Sequence, residues 1–342
     1  MTRGAPDDAP DPEGILLRML GGKWLAAAIS AAASLGLIDA LIEKPLSLEE
    51  LALRVDCQPD ALRRLMRVLA GEKLVTLNAA HAYEPTELGA LLRRGELGDL
   101  ARFVGSPAGW DPWSRLTDSV RTGRSAFEAC HGQGLFDYLD DHRDEADVYH
   151  DAIDAFCRRE ARALASAYDF SQATRVLDVG GGQGTLLIEV LSAWKHLSGV
   201  LLERPVAVER ATLAFTEAGL ADRCEARSGD FFGTIPAGAD VCVLKHIIHS
   251  WDDDTAIALM RRCIEAVGPD GVLLLIEGLL LPEGHQNMTN LLDLEMLVLC
   301  GPGHERTKPQ MRRLISAAGL RIVESAPLAD GTRLFVTRYH DS

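Results

Sequence analysis

The sequence lacks an excess of positive charge: 35 Lys and Arg stand against 50 Asp and Glu, a formal net charge of −15. Binding a phosphate backbone relies on clustered cations, so nucleic acid is a poor candidate substrate, whereas a small neutral or cationic ligand remains open. Paired cysteines are also missing. Cys57, Cys130, Cys157, Cys224, Cys242, Cys263 and Cys300 are odd in number and scattered, with no CxxC. That pattern reads as reduced thiols in a cytoplasmic protein and offers no zinc or other metal site. The longest apolar run, Trp24 to Ile38, falls short of the roughly 20 residues that cross a bilayer. It reads as a buried or interface helix and gives no membrane partner. The acidic, Pro-rich opening MTRGAPDDAPDPEG has neither signal-peptide nor transit-peptide character, and residues 1–13 are expected to be disordered.

What is present is a chain of 342 residues, long enough for one large domain or two ordinary ones. From about 14 to 160 the apolar residues recur at helical spacing. Within this region LSLEELALRV, QPDALRRLMRVLAGEKLVTL and AYEPTELGALL predict helix, turn, helix and a short β-wing. Ser47 with Glu50 forms a capping-box start, and Pro59 opens the next helix. A winged helix raises the question of DNA. Between Leu46 and Leu77, however, five bases (Arg54, Arg63, Arg64, Arg67, Lys73) meet five acids (Glu49, Glu50, Asp56, Asp60, Glu72). A recognition helix without surplus charge binds phosphate poorly. The region reads as a packing and dimerisation module, with a DNA-binding ligand sensor as the minor alternative.

From 161 to 342 the texture is α/β. RVLDVG, SGVLLE, ADVCVLKHII and GVLLLIEGLLL are apolar runs fit for buried parallel strands, separated by amphipathic helices. RIVESA and RLFVTRYH are joined too briefly for a crossover and predict an antiparallel hairpin. The result is a Rossmann-like doubly wound sheet, whose ligand belongs at the carboxyl ends of the strands.

The first strand runs from Asp178 into Gly180, Gly182 and Gly184. Glycines there let the backbone turn sharply and approach a ligand in front of a helix N-terminus. The spacing is GxGxG, not the GxGxxG of dinucleotide sites. Preceded by an acid, it favours a nucleoside with an amino-acid tail, whose ammonium welcomes a carboxylate. Glu203 ends the second strand, where an acid accepts from ribose hydroxyls. Asp230, after the third strand, is placed to accept from an adenine amino group, and Phe231 to cover the ring.

DVGGGQG, LLERP, SGDFF, LKHIIHSWDDD, LLLIEGLL and GHERTKPQMRRLISAAGL together resemble the plant caffeic-acid-type O-methyltransferases and their bacterial natural-product relatives, over residues about 14 to 340. The resemblance implies a class I methyltransferase with S-adenosyl-L-methionine as cofactor and an N-terminal domain that forms a homodimer. It places Gly180, Gly182, Glu203, Asp230, Phe231 and Lys245 on cofactor contacts. Arg204 and Phe232 are assigned to the same site, and Arg158 or Arg159 to the methionine carboxylate. It also places Tyr149, Ile153, Phe156, Met296 and Cys300 around a small aromatic substrate. Trp110 and Trp113 either close that pocket or pack in the core. Cys300 stands where plant members often carry an Asn, which points away from lignin-type substrates and towards a polycyclic or quinone-like one.

Methylating a hydroxyl requires its proton to leave. A phenol titrates near 10, so a base near neutrality is needed, and histidine is the usual choice. His246 and His249 both follow the fourth strand; His249 falls on the family's catalytic base, and His246 reads as structural. Glu277, an acid within an apolar strand, and Glu305, in the loop GPGHERT, fall on positions that flank and orient it. Ser250 stands where plant members usually carry an acid. In a diverged branch of the family that histidine is replaced and the chemistry becomes hydroxylation or decarboxylation; retention of His249 favours methylation.

Overall fold

The computed structural model describes residues 11–285, 287–329 and 331–340. The chain divides into two compact units at Ser106/Pro107, earlier than the boundary near 160 read from the sequence. The helices between 107 and 167 carry the same spacing as the N-terminal ones, so periodicity could not assign them; their packing puts them in the second unit.

The first unit opens with the helix Pro12–Ser34, whose first N–H groups are capped by Asp11: its carboxylate accepts from Glu13 N (3.3 Å) and Gly14 N (3.0 Å). Pro12 and Glu13 are therefore helical with Asp11 as their cap, and residues 1–10 of the segment expected to be disordered lie outside the described residues. The helix is 23 residues long, enough by length and composition to cross a membrane. This corrects the shorter run read from the sequence, because Gly21 and Gly22 do not interrupt the helix. It is not buried within the chain either: Leu17, Leu20 and Trp24 are exposed, Trp24 by 76%.

Leu37–Glu43, Leu48–Arg54 and Pro59–Gly71 follow, then β1 (Val75–Leu77) and β2 (Tyr83–Pro85), an antiparallel wing. The Ser47–Glu50 capping box forms and Pro59 is at the first helical position. Leu62, Met66 and Leu69, spaced four and three, bury one face of Pro59–Gly71 against Leu37, Leu41 and Leu51. Arg63 on this helix is paired with Glu49 (3.5 Å) and Asp60 (3.9 Å).

The second unit carries the doubly wound sheet. Its strands are β3 (Arg175–Val179), β4 (Ser198–Glu203), β5 (Cys224–Ser228), β6 (Val241–Lys245), β7 (Val272–Leu280), β8 (Arg306–Thr307), β9 (Leu320–Pro327) and β10 (Thr332–Tyr339). The order is β5-β4-β3-β6-β7-β10-β9, with β8 beside β7. β3 to β7 are parallel; β10 runs antiparallel to β7 and pairs with β9 as the expected hairpin. The winding reverses between β3 and β6, which opens the crevice at their carboxyl ends.

Alternation sorts each strand residue into one of two cores. Val176, Val241, Val243, Val272, Leu274 and Ile276 face one layer, with Leu164 of the long helix Arg143–Ala167. Leu177, Val179, Cys242, Leu244, Leu273 and Leu275 face the other. Extended to the strand ends, the same parity sends Asp178 and Lys245 to the first face and Glu277 to the second.

Candidate active site

Three acids stand at the strand tips. Gly180 follows β3 with φ +73°, and a side chain there would meet Ile247 Cδ1 at 2.5 Å, so only glycine fits. Gly182 (φ +58°) faces open space. Gly184 (φ +81°) is the cap of the helix Thr185–Ala193 and lies against Phe215. Gly182 N–H donates to Glu203 Oε2 (3.0 Å) and Arg204 N–H to Glu203 Oε1 (2.7 Å), which fixes that carboxylate at the rim of the glycine loop. Burial raises its pKa against those two bonds.

Asp178 is 1% exposed, and among the described residues neither carboxylate oxygen has a hydrogen-bond partner. Burial pushes its pKa up to about 7, against the pull of Lys245 and with a push from Glu203. A buried carboxylate without a donor is costly; an ammonium or other donor-bearing ligand relieves it, which fits S-adenosylmethionine. Asp230 Oδ1 accepts from Phe232 N (2.8 Å). Phe231 and Phe232 stack edge-on with each other at 4.9 Å and with Trp251 at 6.2 and 4.8 Å.

The two arginines face carboxylates. Arg204 hydrogen-bonds Asp137 (2.8 Å) and forms an ion pair with Asp140 (3.0 Å), and it is its backbone N–H that donates to Glu203. Arg158 bonds Asp154 at 2.5 Å, and Asp154 also accepts from Thr185 Oγ1, which ties the long helix to the glycine loop.

β6 ends at Lys245, and His246 then takes a left-handed conformation (φ +53°), which costs a non-glycine residue on the order of 1 kcal/mol. That turn sends the chain into the 3₁₀ segment Ile248–Ser250 carrying His249. Glu277 reaches back from β7: its Oε1 accepts from Ile247 N (3.2 Å) and Ile248 N (3.0 Å), and its Oε2 lies 3.6 Å from His249 Nδ1. Glu305 Oε1 is 2.8 Å from the same Nδ1. Burial pulls the His249 pKa down, but Glu277 and Glu305 more than offset this and the net shift is upward. Burial raises the Glu277 pKa, opposed by His249 and His246.

Two residues missed from the sequence complete this arrangement. Arg306, 2% exposed, donates to Ile248 O (3.0 Å), Trp251 O (2.9 Å) and Asp253 Oδ1 (2.8 Å), so it clamps both ends of the histidine turn. Its place beside Glu305 in HERT was a signal. Glu160, buried on the apolar stripe of Arg143–Ala167, holds His246 Nε2 at 2.9 Å and lies 3.8 Å from Lys245 Nζ. Burial raises the Glu160 pKa, but His246 and Lys245 overcome it and the net shift is downward. The fold thus gathers potential metal ligands that spacing did not reveal: donor atoms of Cys157, Glu160 and His246, and of His246, His249 and Glu277, lie within 4.8 Å of one another. In both sets Glu160 or Glu277 already faces cationic or donor groups of the protein.

The residues expected around the substrate come from two helices. Tyr149, Ile153 and Phe156 lie on Arg143–Ala167, and Met296 and Cys300 on Met288–Cys300. Phe156 is 6.4 Å from the His246 ring. Burial raises the Tyr149 pKa, with Cys300, Cys157, Glu203 and Glu295 adding to the shift, which brings these groups around one phenol. Burial pushes the Cys300 thiol up to about 12, against a hydrogen bond with Ser250. Trp110 ends the short helix Pro107–Trp110. Trp113 Nε1 donates to Glu295, a third residue absent from the sequence reading.

Comparison with known proteins shows the family. Residues 17–95 match the O-methyltransferase dimerisation domain, and residues 113–321 the O-methyltransferase domain. The chain is 38% identical over 317 residues to the mitomycin biosynthesis 6-O-methyltransferase of Streptomyces lavendulae, spanning 92% of this chain and 90% of that protein. It is 33% identical to the phenazine O-methyltransferase PhzM of Lysobacter antibioticus over 99% of both. It superposes with a TM-score of 0.75, at 29% identity and over 92% of this chain and 96% of the other, on an O-methyltransferase from neocarzinostatin biosynthesis solved with S-adenosylmethionine and 2-hydroxy-5-methyl naphthoic acid. The chain belongs to the O-methyltransferase family and is an S-adenosylmethionine-dependent O-methyltransferase.

Proposed function

We propose that His249 is the general base that deprotonates a phenolic or enolic hydroxyl of a flat, polycyclic or quinone-like natural product. The observation that carries this reading is the 2.8 Å contact of His249 Nδ1 with Glu305. A carboxylate in that role accepts, so Nδ1 carries the proton and Nε2 keeps its lone pair for the substrate hydroxyl. When the proton arrives on Nε2, Glu305 and Glu277 stabilise the imidazolium. S-adenosylmethionine supplies an electrophilic methyl group on a sulfonium.

Asp178 holds its ammonium, Glu203 its ribose hydroxyls and Asp230 its adenine amino group. Phe231 and Phe232 cover the ring, the glycine loop admits it, and Lys245 and Arg158 set the charge at the methionine end. Tyr149, Ile153, Phe156, Met296 and Cys300 enclose the aromatic substrate, with Trp110 at the rim. The 2-hydroxy-5-methyl naphthoic acid bound by the neocarzinostatin relative supports that substrate class. We further propose a homodimer built on the apolar face of Pro12–Ser34, acting in the cytoplasm on small molecules and not on nucleic acid. The dimerisation-domain match, the seven free thiols and the internally paired Arg63 support these points.

The test is His249→Gln. Turnover on a weakly acidic phenol should fall by roughly 10²–10⁴-fold, with cofactor affinity nearly unchanged. A phenol already ionised at the working pH should lose much less. Near wild-type turnover on the weak acid would show that proximity alone suffices.

A further inference from the structure

Two buried carboxylates beside the proposed base each keep one oxygen without a hydrogen-bond partner among the described residues, Glu277 Oε2 and Glu305 Oε2. Glu277 Oε2 nevertheless has two ring nitrogens at ion-pair distance: His249 Nδ1 at 3.6 Å and His246 Nδ1 at 3.9 Å. At its other nitrogen, Nε2, His246 meets both oxygens of Glu160, at 2.9 and 3.1 Å. His246 therefore bridges a carboxylate on the helix Arg143–Ala167 and one on β7, with its ring 5.3 Å from that of His249. It does so from the left-handed turn after β6 (φ +53°), a conformation that histidine enters more readily than most non-glycine residues.

A carboxylate only accepts, so Nε2 of His246 carries a proton. Nδ1 then decides the charge. With a bare lone pair it would set a second electron-rich atom against the unpartnered Glu277 Oε2, away from water. With a proton it gives that oxygen a positive neighbour. The balance of buried charge points the same way. Glu160, Glu277 and Glu305 are each 2% exposed. Among the described residues the cationic groups within 4 Å of them are Lys245, 3.8 Å from Glu160, and the two histidines. His249 is neutral when it acts as a base, so with His246 also neutral a single lysine would meet three buried carboxylates. That lysine also faces Asp178 and the Cys157 thiol, which in turn lies within 4.8 Å of the donor atoms of Glu160 and His246. An ammonium already stands beside this group of donors, which makes it an ion-pair network of the protein's own cations.

We propose that His246 is a positioning residue for the methyl transfer, an imidazolium that holds Glu277 against the His249 turn and limits how firmly the two carboxylates keep a proton on His249. The role rests on the reading of His249 as the base. Glu277 Oε1 accepts from Ile247 N and Ile248 N, so a cation at its other oxygen steadies the turn that carries His249. Glu277 and Glu305 also favour the His249 imidazolium, which is inactive as a base. A second positive ring 5.3 Å away opposes them.

The test is NMR titration of the His249 imidazole in histidine-labelled protein saturated with S-adenosylhomocysteine, its signal assigned by its loss in His249→Gln. His246→Asn removes the charge with a residue suited to the left-handed turn. The His249 midpoint should then rise by about one pH unit, and the acid limb of the methylation profile should move up with it. His246→Lys keeps a cation, so midpoint and limb should stay near their wild-type values. In the wild type, at a pH above the acid limb, one ring should remain protonated on both nitrogens. A midpoint that stays or falls in His246→Asn overturns the proposal. So does an equal rise in His246→Lys, which would trace the effect to packing and not to charge. If the variants do not fold, the wild-type spectrum decides: a doubly protonated ring above the acid limb supports the proposal and its absence overturns it. An acid limb that survives in His249→Gln overturns the base reading and this role with it. A limb lost there but unmoved in His246→Asn overturns this inference alone.

Discussion

Glu305 Oε1 stands 2.8 Å from His249 Nδ1, and the Glu305 backbone N–H donates to Asp293 Oδ1 at 2.7 Å. The carboxylate that orients the histidine is thus itself held in place from the helix Met288–Cys300, the helix that also carries Met296 and Cys300. The proposed base and the proposed substrate wall are parts of one bonded unit. Glu277 Oε2 lies 3.6 Å from the same nitrogen, so two buried carboxylates meet the Nδ1 edge of the imidazole.

That placement sets a pH dependence. Both carboxylates raise the His249 pKa, against burial. The base works only when neutral, so kcat/KM rises with pH through the raised value. Glu305→Gln or Glu277→Gln removes a negative charge, stabilises the imidazolium less, and should move the acid limb of the pH–rate profile to lower pH. Each should cost less turnover than His249→Gln, and the double mutants with His249→Gln should be far from additive. An acid limb that stays in place in both variants would remove the carboxylates from the mechanism.

Cofactor affinity should report on the strand-tip acids. Glu203→Ala loses charge-assisted bonds to ribose of about 1.5–3 kcal/mol each, and calorimetry should show affinity falling by well over tenfold. For Asp178, pushed up to about 7 by burial, the carboxyl becomes neutral as pH falls below that value and can no longer pair with an ammonium. Affinity should therefore decline from pH 8 to 6 in the wild type and be flat, and weaker, in Asp178→Asn. The same raised pKa means that ionisation destabilises the ligand-free fold as pH rises from about 4 through about 7. Asp178→Asn should therefore gain melting temperature relative to wild type across that window.

Arg306 should act on turnover through position. Arg306→Met frees Ile248 O and Trp251 O, at about 1–3 kcal/mol of stability, and lets the His249 turn drift. The expected result is a tenfold or larger loss of kcat, on the order seen when a reacting group is misplaced, with cofactor affinity close to wild type. Arg306→Lys should not rescue it, because one ammonium cannot span both carbonyls and Asp253. Loss of cofactor binding in parallel with kcat would mean general unfolding of the loop.

The apolar face of Pro12–Ser34 should be covered by a second copy. Leu17, Leu20 and Trp24 are exposed in the single chain, a patch that soluble monomers rarely leave open. Light scattering should give a dimer at micromolar concentration, and Leu20→Glu with Trp24→Glu should give monomers. A wild-type monomer would refute the assembly.

Local chemistry was enough to mark the glycine turn, the acids that end β3 and β4, the acid that follows β5, the capping box at Ser47 and the C-terminal hairpin. Turn geometry and period-two alternation depend on residues close in the chain, so they show in the sequence. That Asp178 and Lys245 share a face was not among them, because alternation within one strand does not say which face its neighbour presents to the same layer. Tertiary structure alone decided what those faces meet. Glu160 sits on an apolar helical stripe where spacing reads as core; only the packing of Arg143–Ala167 gives it a histidine and a lysine. The division at Ser106/Pro107 was likewise hidden, because helices on either side of it have the same period. The reason is electrostatic as well as geometric: burial and the distance between charges set whether a carboxylate orients a base, awaits a ligand or merely packs, and both belong to the folded chain.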